Sequence, residues 1–390
     1  MEKIKEVIIG KKDFQEDTEN KMETTNNNQN KIYYGDIEQV NRLGYQDYNN
    51  FLENKNSKQK LNGFNNSYLD IVDYILKITH QIWEEKSIGV IYDNYSNNVK
   101  VHTGTHTIKG INAMVSNTMQ SIHAFPDKRL IASNVIWSGD DEGGFYSSHR
   151  MVTTGTNLNS SVFGKATGKK VISRSVADCL CFQNRIIEEW VTGDSLYIVQ
   201  QLGYNPIDFV KNLNQERKFV SLPETFGVTD TKEGQLAPTV YKRRDTHFEI
   251  SDFILEMYNK IWERRLFNYV KDFYTDNSVI HYIGGKSLIG FSQIQGALIS
   301  LFACFPTAKF IIERVTCNQV DTNEHDVAVR WRIQGIHEGL GYFGKASNKS
   351  IQILGITHLK VLNERVIKEW ITFDGIDILK QIYTASGQDS

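Results

Sequence analysis

A chain of 390 residues exceeds what one hydrophobic core usually serves, so at least two domains are expected. Its 40% hydrophobic and 11% aromatic content suits globular folding, and a formal net charge of -2 gives no electrostatic basis for binding nucleic acid or an anionic membrane. No stretch approaches the roughly 20 apolar residues that cross a bilayer, and Met1-Glu2-Lys3-Ile4-Lys5 opens no apolar leader, so a cytoplasmic location is expected. Cys179, Cys181, Cys304 and Cys317 show neither a disulfide framework nor metal-ligand spacing. They read as buried thiols, and no metal or cofactor is expected.

Residues 1–66 contain the polar tract Thr24-Thr25-Asn26-Asn27-Asn28-Gln29-Asn30 and read as a flexible extension, with Ile37, Val40, Leu43 and Phe51 allowing a short docking helix. A first domain is expected over 67–204. It opens on Ile71, Tyr74, Ile75, Ile78 and Ile82, the i, i+3, i+4 spacing of a helix with one buried stripe, closed by Trp83. A second helix over Ile111–His123 is followed by strand-like runs at Lys128–Trp137, Arg150–Thr156, Val171–Phe182 and Arg185–Val191, the last pair joined by a turn at Gln183-Asn184. Residues 205–246, with Pro206, Pro223, Pro238 and the run Lys242-Arg243-Arg244-Asp245, read as a linker with a helix near Pro206–Leu213. A second domain is expected over 247–386. It repeats the helical stripe as Ile254, Met257, Tyr258 and Ile261 before Trp262, and the last turn as Asn363-Glu364.

The two domains are copies. Phe163-Gly164-Lys165-Ala166 recurs 180 residues later as Phe343-Gly344-Lys345-Ala346, and the same offset carries Arg150 to Arg330, Glu189-Trp190 to Glu369-Trp370 and Asp194 to Asp374. Further upstream the offset is 179, taking His102 to His281. Helices first and antiparallel strands afterwards predict an α+β fold, a curved sheet packed with N-terminal helices and able to enclose a pocket.

Arg150, Gly155-Thr156, Phe163-Gly164, Thr167-Gly168-Lys169, Glu189-Trp190-x-x-x-Asp194 and Gln201-Leu202-Gly203, in that order, resemble the signature of the SnoaL-like polyketide cyclases of the nuclear-transport-factor-2-like superfamily. The second copy matches with Arg330, Gly335-Ile336-His337, Gly344, Glu369-Trp370-x-x-x-Asp374 and Gln381. Asn157 stands where the family often has the histidine kept at His337, and Ser347-Asn348 replaces Thr-Gly in the second copy. The resemblance implies two cone-shaped barrels with apolar pockets, paired through their sheets as an internal pseudo-dimer, with a further homodimer open. It implies cofactor-free chemistry on a small hydrophobic molecule, or a non-catalytic ligand-binding or protein-interaction module on the same scaffold.

The resemblance makes Asp194 and Asp374 the general acid/base, while both also stand where an N-cap of the final helix belongs. His102 and His281 occupy equivalent strand positions suited to substrate orientation or proton relay, and His337 and His358 add further acid/base candidates. His358 corresponds to Asp178, so the two sites are expected to differ, with the second better equipped. Whether His358 faces the pocket depends on register. Arg150 and Arg330 suit stabilisation of an oxyanion or a salt bridge, and Trp190, Trp331 and Trp370 suit an aromatic ligand wall or core packing. The run Gly284-Gly285-Lys286-Ser287 lacks the earlier glycine of a phosphate loop and reads as a turn. The leading expectation is a cyclase, isomerase or hydrolase acting on a carbonyl-bearing substrate through an aspartate.

Overall fold

The computed structural model describes residues 32–34, 59, 61–216, 240–244 and 247–383. Most of the extension expected over 1–66 and the middle of the linker expected over 205–246 lie outside the described residues.

A short strand β1 (Ile32–Tyr34) precedes the first copy. Asp70 then caps helix α1 (Ile71–Trp83), accepting from the Asp73 amide at 2.8 Å, and Ile71, Tyr74, Ile75, Ile78 and Ile82 form its buried stripe. Helix α2 (Val90–Asn94) leads into β2 (Tyr95–Thr103), which pairs with β3 (His106–Lys109) before helix α3 (Ile111–Ala124). Four strands complete the sheet: β4 (Arg129–Asp140), β5 (Gly144–Thr156), β6 (Lys170–Phe182) and β7 (Arg185–Gly193), followed by α4 (Ser195–Gln201) and α5 (Pro206–Glu216). The order is β3-β2-β7-β6-β5-β4, antiparallel except for the β2–β7 pair.

The second copy repeats this plan with α6 (Ile250–Tyr258), α7 (Val270–Phe273), β8 (Tyr274–His281), β9 (Ser287–Ile289), α8 (Gly290–Cys304), β10 (Lys309–Asp321), β11 (Glu324–Ile336), β12 (Ser350–Leu362), β13 (Arg365–Phe373) and α9 (Gly375–Tyr383). Helix α6 runs on into a π-helical turn over Asn259–Glu263 that carries Trp262. The strand order matches that of the first copy, with β1 added in parallel beyond β10 as the edge of the sheet. Both final hairpins turn on two residues with positive φ, Gln183-Asn184 and Asn363-Glu364, the geometry that suits the twist of a tight hairpin. The chain is thus two tandem α+β folds, each a curved sheet wrapped around helices.

One irregularity decides what faces the cone. In β7, Ile186 pairs with Cys181 while Glu188 pairs with Leu180, so Ile187 is an extra residue. Strict alternation from Ile186 would turn Glu188 and Trp190 inward. The bulge turns Glu189 and Val191 inward instead and sends Trp190 to the outer face. The same bulge between Val366 and Lys368 turns Glu369 and Ile371 inward and Trp370 outward.

The outer faces of the two sheets pack on each other. Where β4 and β10 meet, the Asn318 side chain accepts from the Trp137 amide and donates to its carbonyl, each at 2.9 Å. Asn134 donates to Asp326 at 2.9 Å nearby.

Candidate active site

Most residues singled out by motif lie in the seam between the copies. The Arg150 guanidinium stacks 3.6 Å from the centre of the Trp370 ring, and Arg330 stacks at the same distance on Trp190, so the two contacts are reciprocal. Arg330 also donates to Asp178 at 3.2 Å and to Glu313 at 3.1 Å. On the flanks His102 stacks on Trp190 and His281 on Trp370, with ring centres 5.3 and 5.6 Å apart. His102 bonds to Thr107 and Glu188, and His281 to Ser287. Burial, then the charges of Arg174, Lys368 and Arg150, pull the His281 imidazole down to about 4.

His358 faces this seam too. Its Nε2 lies 2.8 Å from Ser148 Oγ of the other copy, and burial keeps its imidazole well below the usual range. Asp194 caps α4 through the Tyr197 amide and accepts from the amides of Gly284 and Gly285 at 2.8 and 3.0 Å, which is what that glycine turn does. Asp374 accepts from the Ile376 and Asp377 amides and from the Ser195 hydroxyl of the first copy. His337 bonds to Ser347 and packs on Phe305 near the end of β11. Trp331 alone of the three named tryptophans points into a cone, donating to Thr357 at 2.9 Å.

The two cones differ in content. In the second, Trp262, Phe310, Trp331 and Phe373 form a chain of ring contacts with centres 5.2–5.8 Å apart. Gly355 makes this possible, because a Cβ there would lie 2.1 Å from the Trp331 ring. What remains is a cavity of about 10 Å³ open to the centre of a water molecule, bounded by Trp262, Tyr274, Tyr282, Leu298, Glu369 and Ile371. That is the lower limit for one water.

At the matching inward positions the first cone has Leu130 for Phe310, Ala132 for Ile312, Met151 for Trp331, Thr153 for Ile333, Ser173 for Ile353 and Gly193 for Phe373. These exchanges remove roughly two dozen side-chain heavy atoms, and the larger Trp137 for Cys317 and His149 for Val329 restore about half of them. At Gly193 an added Cβ would make only ordinary contacts, 3.6 Å from the Arg174 carbonyl oxygen and the Ser175 Cβ. Trp83, Met114, Val115, Ala132 and Val191 are only partly buried, whereas Trp262, Ile312 and Ile371 are buried.

Glu189 is the acid of the first cone and Glu369 that of the second. Burial pushes the Glu189 carboxyl up to about 7, opposed by hydrogen bonds from the Tyr95 hydroxyl and the Cys179 thiol. Burial pushes Glu369 to about 8, opposed by the Tyr274 hydroxyl at 2.8 Å. The first cone also holds His149, which burial and the adjacent Arg150 pull down to about 3. Lys128 lies over Trp83, and burial and neighbouring Lys86 lower its ammonium to about 8. Sequence reasoning passed over Glu189, Glu369, His149 and Lys128. Among the described residues no group of three or more His, Cys, Asp or Glu is placed to hold a metal ion, and no helix is long and apolar enough to cross a membrane.

A curved sheet wrapped around helices, with a buried carboxylic acid on its inner face, is a cone-type α+β fold. Residues 253–382 match the family model of the SnoaL-like polyketide cyclases, and the first copy repeats the strand order of that segment. Solved structures with similar folds include a candidate SnoaL-like polyketide cyclase from Jannaschia sp. CCS1, at 15% identity over 35% of this chain and 92% of that one, TM-score 0.31. TsrD from Streptomyces laurentii aligns at 15% identity over 34% and 94%, TM-score 0.30. IdmH from Streptomyces antibioticus, a candidate polyketide cyclase, aligns at 15% identity over 34% and 98%, TM-score 0.30. No curated protein matches the sequence.

Proposed function

We propose that the first copy is the ligand-handling cone, that it takes a small hydrophobic carbonyl-bearing molecule, and that Glu189 is its acid/base. The second copy acts as a filled partner that braces the first. The observation that carries this is the exchange of Trp331 and Phe373 for Met151 and Gly193 at equivalent inward positions, beside an acid present in both cones.

A carboxyl group that titrates near 7 supplies both forms at neutral pH. The acid form donates to a carbonyl oxygen, and the carboxylate removes the acidic proton beside that carbonyl, as isomerisation or cyclisation by enolisation requires. On this reading Asp194 and Asp374 hold helix ends and the seam, and the chemistry belongs to the glutamate five residues earlier.

The test is a melting-temperature screen of small aromatic and polyketide-like carbonyl compounds against the native chain, Gly193→Phe and Glu189→Gln. Compounds that raise the native melting temperature are expected to lose that effect in Gly193→Phe, whose new ring reproduces the packing of the second cone. Glu189→Gln is expected to bind and to lose turnover by about 10²–10⁴-fold. An undiminished shift in Gly193→Phe would reject the first cone as the site, and full turnover in Glu189→Gln would reject the acid.

A further inference from the structure

Lys128 has no cationic counterpart in the second copy, where position 308 is alanine. Its side chain folds inward just ahead of β4, placing Nζ 4.3 Å from the centre of the Trp83 ring and 2.8 Å from Ser121 Oγ. The ring is the one whose counterpart, Trp262, bounds the residual cavity of the second cone. Among the described residues Lys128 joins no ion pair. The nearby acids are engaged elsewhere: Glu84 binds Arg129 at 2.6 Å, and Asp127 accepts from Thr156 at 2.6 and 2.7 Å. The neighbouring charge is a second cation, Lys86, whose amine donates to the carbonyls of Trp83 and Lys128, each at 2.5 Å.

An ammonium has three N–H donors, and here one hydrogen bond and an aromatic face are what it finds. A partly desolvated cation without a counter-charge, seated on an aromatic face, is a receptor for an anion. Resting on the reading of the first cone as the ligand cavity, we propose that its ligand is a hydrophobic anion. The apolar body would lie against Met151, Val191 and Gly193, and a carboxylate, sulfonate or enolate oxygen would accept from Lys128 Nζ. Lys128 is then a binding residue that sets ligand class.

Two fluorescent probes of nearly equal shape separate charge from fit: 8-anilinonaphthalene-1-sulfonate and its uncharged parent, N-phenyl-1-naphthylamine. Their dissociation constants would be measured on the native chain, Lys128→Met and Gly193→Phe, each checked by circular dichroism for a native fold. The native chain is expected to prefer the sulfonate by about tenfold or more, the worth of one charge-assisted hydrogen bond. Lys128→Met should abolish that preference and leave the neutral probe within about twofold, while Gly193→Phe should weaken both. Loss of affinity for both probes alike in Lys128→Met, or for neither, overturns the anion proposal with the cone reading intact. Unchanged binding of both probes in Gly193→Phe overturns the cone reading itself, and the anion proposal with it.

Discussion

Replacing Glu369 by glutamine should reveal an acid held neutral by its surroundings through the pH dependence of stability. Glu369 is fully enclosed, and its carboxyl is raised from 4.5 to about 8. Between those values the unfolded chain has released this proton and the folded chain has kept it. The folded state therefore binds more protons, and stability contributed at this site falls as pH rises. The slope for one proton is about 1.4 kcal/mol per pH unit, so the native chain should lose up to roughly 5 kcal/mol relative to Glu369→Gln between pH 4.5 and 8. Above pH 8 the difference should level off. Urea midpoints of both proteins at unit steps from pH 5 to 9 measure it, and every other titrating group cancels in the difference. Parallel stability profiles would refute the raised acid and, with it, the argument that the cones enclose neutral carboxyl groups.

Two further outcomes are expected. His149 shows the opposite sign: burial depresses its folded value to about 3, below the ordinary 6.5, so its contribution is intact above 6.5 and is lost as pH falls towards 3. His149→Phe should flatten that acid limb by about 1.4 kcal/mol per pH unit, and an unaltered limb in the variant's denaturation profile would show that the imidazole is protonated in the fold. Arg330→Leu should destabilise the chain by about 3–5 kcal/mol by stranding buried Asp178, and adding Asp178→Asn should restore part of it. A double-mutant cycle showing simple additivity would mean that the two side chains do not interact.

The helical stripes, the copy relation and the α+β order could be read from the sequence because each rests on local periodicity. The inward face of the strands could not. Residues Val176–Cys181 and Ile353–Leu359 are buried without interruption, since one side meets the cone and the other meets the partner sheet, and alternation carries no sign of which is which. The bulges at Ile187 and Ile367 then reverse the phase of β7 and β13, so Trp190 and Trp370 stack on arginines of the other copy while the preceding glutamates turn inward. One signal was available. Comparing the copies at alternate positions shows Trp331 against Met151 and Phe373 against Gly193, a difference in size that an unequal pair of cones explains.

The reciprocal arginine-on-tryptophan seam has a consequence for how such a protein can change. In an assembly of two identical chains, any substitution that plugs one cone plugs both, and whatever the cones do is lost together. Here each half has its own codons, while Arg150 on Trp370 and Arg330 on Trp190 join the halves across the seam. The two cones can therefore diverge position by position, as Trp331 against Met151 and Phe373 against Gly193 already do, within one chain whose seam holds both.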